Sequence, residues 1–188
     1  MIGASDFLRT QVDQYAVANE LAQFHMDMLI RLYALPPIRP PAAGCVLRKP
    51  LGAEHALIAD WVARHFSPAW SSEAQAACAN RPVSLFIATR ADPAEMVGFC
   101  CYDATARGLV GPIGVAPAAR RTGVGAALLR ACLDDMRAAG YAYAVAGAVG
   151  APDFFRCVAE ATEIQGSEPG LYQGMLRADA RRADPSAE

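Results

Sequence analysis

Arg120-Arg121-Thr122-Gly123-Val124-Gly125-Ala126 stands between an apolar run, Leu109 to Val115, and a segment whose Leu128, Leu129, Cys132, Leu133 and Met136 fall on one helical stripe. Arg130, Asp134, Asp135 and Arg137 take the opposite side of that helix. The quoted stretch is therefore a loop that joins a strand to an amphipathic helix. Two glycines let backbone N–H groups converge without Cβ obstruction, and the helix start adds unpaired amides and the positive end of its dipole. Two arginines add bidentate donors for phosphate oxygens, which a tight turn alone does not need. The loop reads as a cradle for a pyrophosphate. No Gly-Lys followed by Ser or Thr occurs, which excludes a P-loop, and Gly123-x-Gly125 lacks the third glycine of a dinucleotide fingerprint.

The 188 residues suffice for one domain with appendages, able to bury roughly 70 % of its unfolded surface. A net charge of −2 gives no electrostatic footprint for nucleic acid. The six cysteines, Cys45, Cys78, Cys100, Cys101, Cys132 and Cys157, lie in apolar surroundings without Cys-x-x-Cys or a histidine at ligand spacing. They read as reduced core thiols, and no metal site is expected. Met1 to Thr10 lacks a basic start followed by an apolar core, and no stretch approaches the ~18 apolar residues of a membrane span. The expected setting is the cytoplasm, with no membrane partner.

Three parts follow along the chain. Residues 1–44 read as a long helix, Ser5 to Leu32, and a connector that Pro36, Pro37, Pro40 and Pro41 keep extended. The apolar face of this helix either packs on its own domain or pairs with a second copy, so a homodimer is a candidate assembly; the face is no sustained heptad. Residues 45–176 alternate strand and helix. Strands are expected at Cys45 to Pro50, Val83 to Thr89, Met96 to Tyr102, Leu109 to Val115, Tyr141 to Val149, Thr162 to Gln165 and Leu171 to Leu176. Helices are expected around Leu57 to Phe66, Ser72 to Asn80, the Leu128 stripe and Pro152 to Ala159. Residues 177–188 are small, charged and Pro-containing, and read as a frayed tail.

Arg120, Gly123 and Gly125 match the acyl-CoA signature of the GNAT superfamily of acetyl-CoA-dependent N-acetyltransferases: Arg or Gln, two residues, Gly, one residue, then Gly or Ala. The element order from Cys45 to Leu176 is similar to the GNAT fold. Met28 to Pro36, Phe99 to Thr105 and Gly166 to Leu176 resemble a bacterial GNAT subgroup with an added N-terminal helix. The resemblance implies an α/β (α+β) fold: a mixed, mostly antiparallel sheet flanked by helices and splayed between its fourth and fifth strands, with an N-terminal helical extension. It implies acetyl-CoA as cosubstrate, with backbone groups of Ile113, Gly114 and Val115 along the pantetheine. Arg120, Arg121, Thr122, Gly123, Val124, Gly125 and Ala126 would hold the pyrophosphate. The implied activity is acetyl transfer to an amine by direct attack in a ternary complex.

The sequence departs from the family in one motif, at two of its positions. Where many relatives carry Asn, two residues, Ala, two residues, Phe-Tyr, this chain has Ala148, Ala151, Phe154 and Phe155. Phe155 can pack on the pantetheine but has no proton to donate to a leaving thiolate. Tyr172 on a closing strand is the candidate replacement, with Tyr102 beside it. For the general base the available groups are Glu73, Asp103 and His65. Asp103 at a strand end has an ordinary role as a turn acceptor, and Glu73 as a first-turn acid. A catalytically silent CoA-binding sensor is the rival reading, since Phe155 removes the familiar acid. The acceptor carries no readable code.

Overall fold

The structure, a computed structural model, describes residues 26–38, 40, 44–90 and 95–176. The helix expected from Ser5, and with it the homodimer reading, lies outside the described residues as far as 25, as does the tail from 177. In chain order the elements are β1 (Met28–Arg31), β2 (Cys45–Arg48), α1 (His55–His65), α2 (Pro68–Ala79), β3 (Leu85–Arg90) and β4 (Glu95–Tyr102). Then come β5 (Leu109–Val115), α3 (Val124–Ala138), β6 (Tyr143–Ala146), α4 (Pro152–Ala159) and β7 (Thr162–Glu163). Seven strands form one sheet in the order β2-β3-β4-β5-β6-β1-β7. Every pairing is antiparallel except β5 with β6.

Helices cover both faces. Along β3, Leu85 and Ile87 face α1 and α2 together with Ile58, Val62, Ala77 and Cys78, while Phe86 and Ala88 face α3. This is the two-residue alternation of a strand buried on both sides. In β4 the alternation slips at Val97, where the partner register jumps from Ala88↔Gly98 to Thr89↔Met96. Val97 and Gly98 both turn to α3: Val97 joins its core, and a Cβ on Gly98 would sit 3.0 Å from Leu128 Cδ1. Beyond the bulge, Cys100 and Cys101 fall on opposite faces, each buried.

α3 buries Val124, Ala127, Leu128, Leu129, Cys132, Leu133 and Met136, the stripe expected from the sequence, and its outer face carries an Arg130–Asp134 pair at 2.8 Å. The helix ends in a Schellman motif: Tyr141 N–H donates to Met136 O at 3.1 Å and Gly140 N–H to Arg137 O at 3.0 Å. Gly140 takes φ +95°, open to glycine at low cost.

Two expectations are corrected. Met28 to Leu32 does not end a helix. Met28 and Ile30 are fully buried in alternation with Leu29 and Arg31, and the strand is zipped between β6 and β7. Leu171 to Leu176 is no strand: residues 171–174 form a turn, and the slot beside β6 that a closing strand would fill is occupied by β1. Gly170 just before that turn and Gly174 at its end, at φ +73° and +80°, break the extended backbone.

Candidate active site

β5 and β6 diverge as soon as they meet. Their parallel pairing covers only Leu109↔Val145 and Val110↔Ala146, so from Gly111 onward the β6-facing edge of β5 is open. A bulge marks the opening: Cys100 pairs with Ile113 but Tyr102 with Val110, which leaves Gly111 and Pro112 opposite Cys101 alone. Pro112 has no N–H to offer a neighbouring strand. The expected splay between the fourth and fifth strands of the core is thus present, and two candidate surfaces lie along it.

The first is the loop at the far end of β5. Gly123 is the N-cap of α3 at φ +85° and has no side chain to accept from the first-turn amides, so these point out of the helix start without a capping partner. Arg121 precedes it at φ +63° with its side chain exposed. Arg120 Nε donates to Val115 O at 3.1 Å, tying the loop to the strand it leaves, and Thr122 Oγ1 donates to Ala119 O at 2.7 Å. Gly125 lies between Val115 and Phe154: a Cβ there would stand 3.5 Å from Val115 Cγ2 and 3.6 Å from Phe154 Cε2. Phe154 is the α4 ring that reaches this loop. Phe155, expected on the pantetheine, is 7 % exposed and belongs to the α3 core.

The second surface is a cleft of about 900 Å³ at the start of the splay. Its walls come from α2 (Trp70, Glu73), β5 (Leu109 to Pro112), the loop after β6 (Gly147, Ala148) and the turn after β7 (Leu171 to Met175). Ser67 fixes α2 by accepting from Trp70 N–H at 3.1 Å. Glu73, Thr105 and Tyr172 converge here. Thr105 Oγ1 donates to Glu73 Oε1, Tyr172 OH donates to the same oxygen at 3.3 Å, and the two hydroxyls are 3.4 Å apart. Both donors use Oε1, which leaves Oε2 for an incoming donor. Burial raises the Tyr172 pKa, the Thr105 hydrogen bond acts against this, and the Glu73 charge adds to the rise. Its phenol stays protonated near neutrality.

Asp103 lies elsewhere. At φ +51° it closes the β4–β5 turn, with Oδ1 accepting from Gly108 N–H at 2.7 Å and Oδ2 from Tyr141 OH at 2.7 Å. Asp103 is not among the residues that line the cleft. His65 is bound through Nδ1 to Trp61 O at 2.9 Å and stacked on that indole, away from the cleft. Tyr102 is buried against Asp135 at 2.7 Å. Burial pushes the Cys101 and Cys132 thiols up, in keeping with inert core cysteines.

Sequence reasoning missed two residues. Thr105 carries no motif and enters only as the end of the Phe99 to Thr105 stretch. Asp27 was hidden by the helical reading of its segment: its Oδ1 accepts from Ala148 N–H at 2.9 Å and holds the β6–α4 loop, where Ala148 adopts φ +45°.

The site is therefore framed by a sheet with a parallel splay, an uncapped helix N-terminus at one end of β5 and a carboxylate-bearing cleft at the other. The sequence matches the model of the acetyltransferase (GNAT) family over residues 55–157, more than half of the chain, and the chain belongs to that family. Its fold is similar to that of a GCN5-related N-acetyltransferase from Sphaerobacter thermophilus (TM-score 0.59, 22 % identity, 74 % of this chain and 48 % of that one). It is also similar to a GCN5-related N-acetyltransferase from Kribbella flavida (TM-score 0.53, 16 % identity, 74 % of this chain and 54 % of that one). A further likeness is to a glucosamine N-acetyltransferase region of a fungal multi-domain GH3 β-N-acetylglucosaminidase (TM-score 0.59, 13 % identity, 74 % of this chain and 20 % of that one). The chain spans about half the length of these solved chains, or less, and at such identities the likeness is one of fold. No curated protein matches the sequence. Among the described residues no helix is long and apolar enough to cross a membrane.

Proposed function

We propose that the chain transfers an acetyl group from acetyl-CoA to a primary amine, by direct attack of the amine in a ternary complex. The observation that carries this reading is the convergence of the Thr105 and Tyr172 hydroxyls on one oxygen of Glu73, inside a cleft at the mouth of the β5–β6 splay. The cradle fits the cosubstrate. Arg120 to Ala126 offer amides and guanidinium groups to the pyrophosphate, and the open edge of β5 at Ile113, Gly114 and Val115 offers backbone groups to the pantetheine amides. Acetyl-CoA supplies the thioester carbonyl and a leaving thiolate.

The residues of the chain then divide the work. Glu73 Oε2 accepts a proton from the ammonium and frees the nitrogen lone pair, while Thr105 and Tyr172 fix the carboxylate through Oε1. A strand N–H near Val115 is the donor for the carbonyl oxygen as it gains charge. The C–N bond forms as the C–S bond breaks. Tyr172, kept protonated by burial, gives its proton to the departing thiolate and recovers one from Glu73 through their hydrogen bond, which frees Glu73 to take the second proton from the new amide nitrogen. Asp103 has a turn to hold and takes no part. The free cysteines support the cytoplasm as the setting.

Thermal unfolding with acetyl-CoA, ATP and NAD tests the cosubstrate. At about 100 times the dissociation constant, binding to the native state adds about 2.7 kcal/mol, or roughly 5 to 11 °C at this size. A shift confined to acetyl-CoA is expected, and Glu73→Gln should keep it while losing turnover by about 100-fold. Equal shifts with ATP would overturn the cradle's assignment. Undiminished turnover in Glu73→Gln would overturn the base.

A further inference from the structure

Trp70 and Glu73 lie three residues apart on α2 and line the same cleft, an indole and a carboxylate side by side. Behind the indole, Phe66 is stacked at 5.1 Å between ring centroids and 26° between planes, so Trp70 is a supported, rigid wall. The same lining includes Val110 and Pro112 from β5, and Leu171 and Met175 from the turn after β7. Leu171 and Met175 are each 53 % exposed, apolar surface that a hydrophobic ligand would cover.

The lining carries charge of one sign among the described residues. Glu73 is the only charged residue in the lining among the described residues. A second carboxylate stands just behind the wall: Asp27 Oδ1 lies 3.7 Å from where a Cβ on Gly147 would be. No lysine, arginine or histidine lines the cleft among the described residues. Arg120, tied to Val115 O, belongs to the cradle at the other end of β5.

We infer that the acceptor is a small hydrophobic primary amine, its ammonium taken between Glu73 and the face of Trp70, its aromatic or aliphatic body on the apolar wall, with no carboxylate or phosphate of its own. This rests on the acetyl-transfer reading and narrows it. An ammonium beside a carboxylate and an indole face gains from both contacts in a partly desolvated cleft. An acceptor carboxylate would be buried without a cationic partner and pushed against Glu73. A polyamine would bring further ammonium groups onto an apolar wall. The volume, about 900 Å³, holds an arylalkylamine together with the acetyl end of the cosubstrate.

Calorimetric titration of the full chain, with and without CoA, compares phenylethylamine with phenylalanine and spermidine, and mass spectrometry of the same amines with acetyl-CoA reads product. Phenylethylamine should bind at least about tenfold tighter than phenylalanine, the size of one like-charge contact in a partly buried site. Glu73→Gln should narrow that ratio, and Trp70→Ala should weaken phenylethylamine. Binding of phenylalanine or spermidine as tight as phenylethylamine overturns the inference, as does no binding by any of the three. Discrimination in binding without product supports the ligand class and overturns the transfer reading, so the two failures are distinguishable.

Discussion

The ring of Phe66 lies on the Cα of Gly114: a Cβ at that position would come within 2.4 Å of Phe66 Cζ and 2.6 Å of Cε2. The ring has nowhere to go, because Trp61, Trp70 and Phe99 surround it with centroids 5.1 to 5.8 Å away. Gly114 is thus small because the strand beside the splay must let an aromatic cluster rest on it. That cluster in turn supports the indole of the cleft.

Gly114→Ala should therefore destabilise the fold by about 1–3 kcal/mol, the usual cost of forcing a methyl into a packed site. It should also weaken the amine, since Trp70 is stacked on Phe66 and moves with it. Gly52→Ala, with nothing within 4 Å of its Cβ, is the control and should be neutral. Thermal melts of the two variants decide it; equal melting temperatures would mean that the ring yields freely.

Asp103→Ala should separate structure from chemistry. It removes the acceptor of Gly108 N–H and of Tyr141 OH, two bonds of 2.7 Å, and should cost about 1–3 kcal/mol. At temperatures where the variant is folded, its kcat/KM should stay within about twofold of the parent, whereas Glu73→Gln loses activity in the folded protein. A collapse of kcat in Asp103→Ala with an unchanged melt would return Asp103 to the chemistry.

Most of the fold was legible because its period was. α3 shows a clean stripe, β3 and β5 carry apolar runs bounded by turn residues, and Gly140 stops a helix where a positive φ is needed. β1 was not legible. Met28 and Leu29 continue the helical spacing of Leu21 and Phe24, and nothing local says that Met28 and Ile30 will be buried between two distant strands. Only the tertiary slot beside β6 decides it. The same gap hid Asp27. In the site, the Arg120 to Ala126 loop was legible as a glycine-arginine turn into a helix start. Glu73 and Tyr172 were legible singly, as polar groups near the expected cleft, but their meeting through Thr105 depends on chain segments 32 and 67 residues away in sequence.

Acid should act on the Arg48–Glu54 pair, where Arg48 Nη1 and Nη2 donate to the two carboxylate oxygens at 2.7 and 2.6 Å and Leu51 N–H adds a third bond. The guanidinium holds the Glu54 carboxyl down at about 2, from an ordinary 4.5. A carboxylate whose pKa is depressed on folding binds fewer protons in the native state than in the unfolded one. Its contribution is complete above pH 4.5 and is lost as pH falls toward 2. Both groups are about a third exposed, so solvent screening limits the effect to about 1 kcal/mol. Glu54→Gln should flatten that part of the stability profile in denaturant titrations between those pH values; an unchanged slope would mean that the pair contributes nothing.

Arg121 gives the sharpest test of the cradle, because its backbone and its side chain pull in opposite directions. Its φ of +63° is one that an L side chain adopts at a cost and glycine does not. Strain of this kind persists where a side chain is needed for something other than stability. Arg121→Gly should therefore raise stability, by about 0.5–1 kcal/mol, while removing a guanidinium from the end of the splay proposed to hold the pyrophosphate. The acetyl-CoA dissociation constant should rise about tenfold, as for loss of one charged hydrogen bond, and its dependence on salt should become shallower. Melting temperature and affinity should then move against each other in one variant. If both fall, the residue serves the loop rather than the ligand, and if affinity holds while stability rises, the pyrophosphate is held by Arg120 and the α3 amides alone.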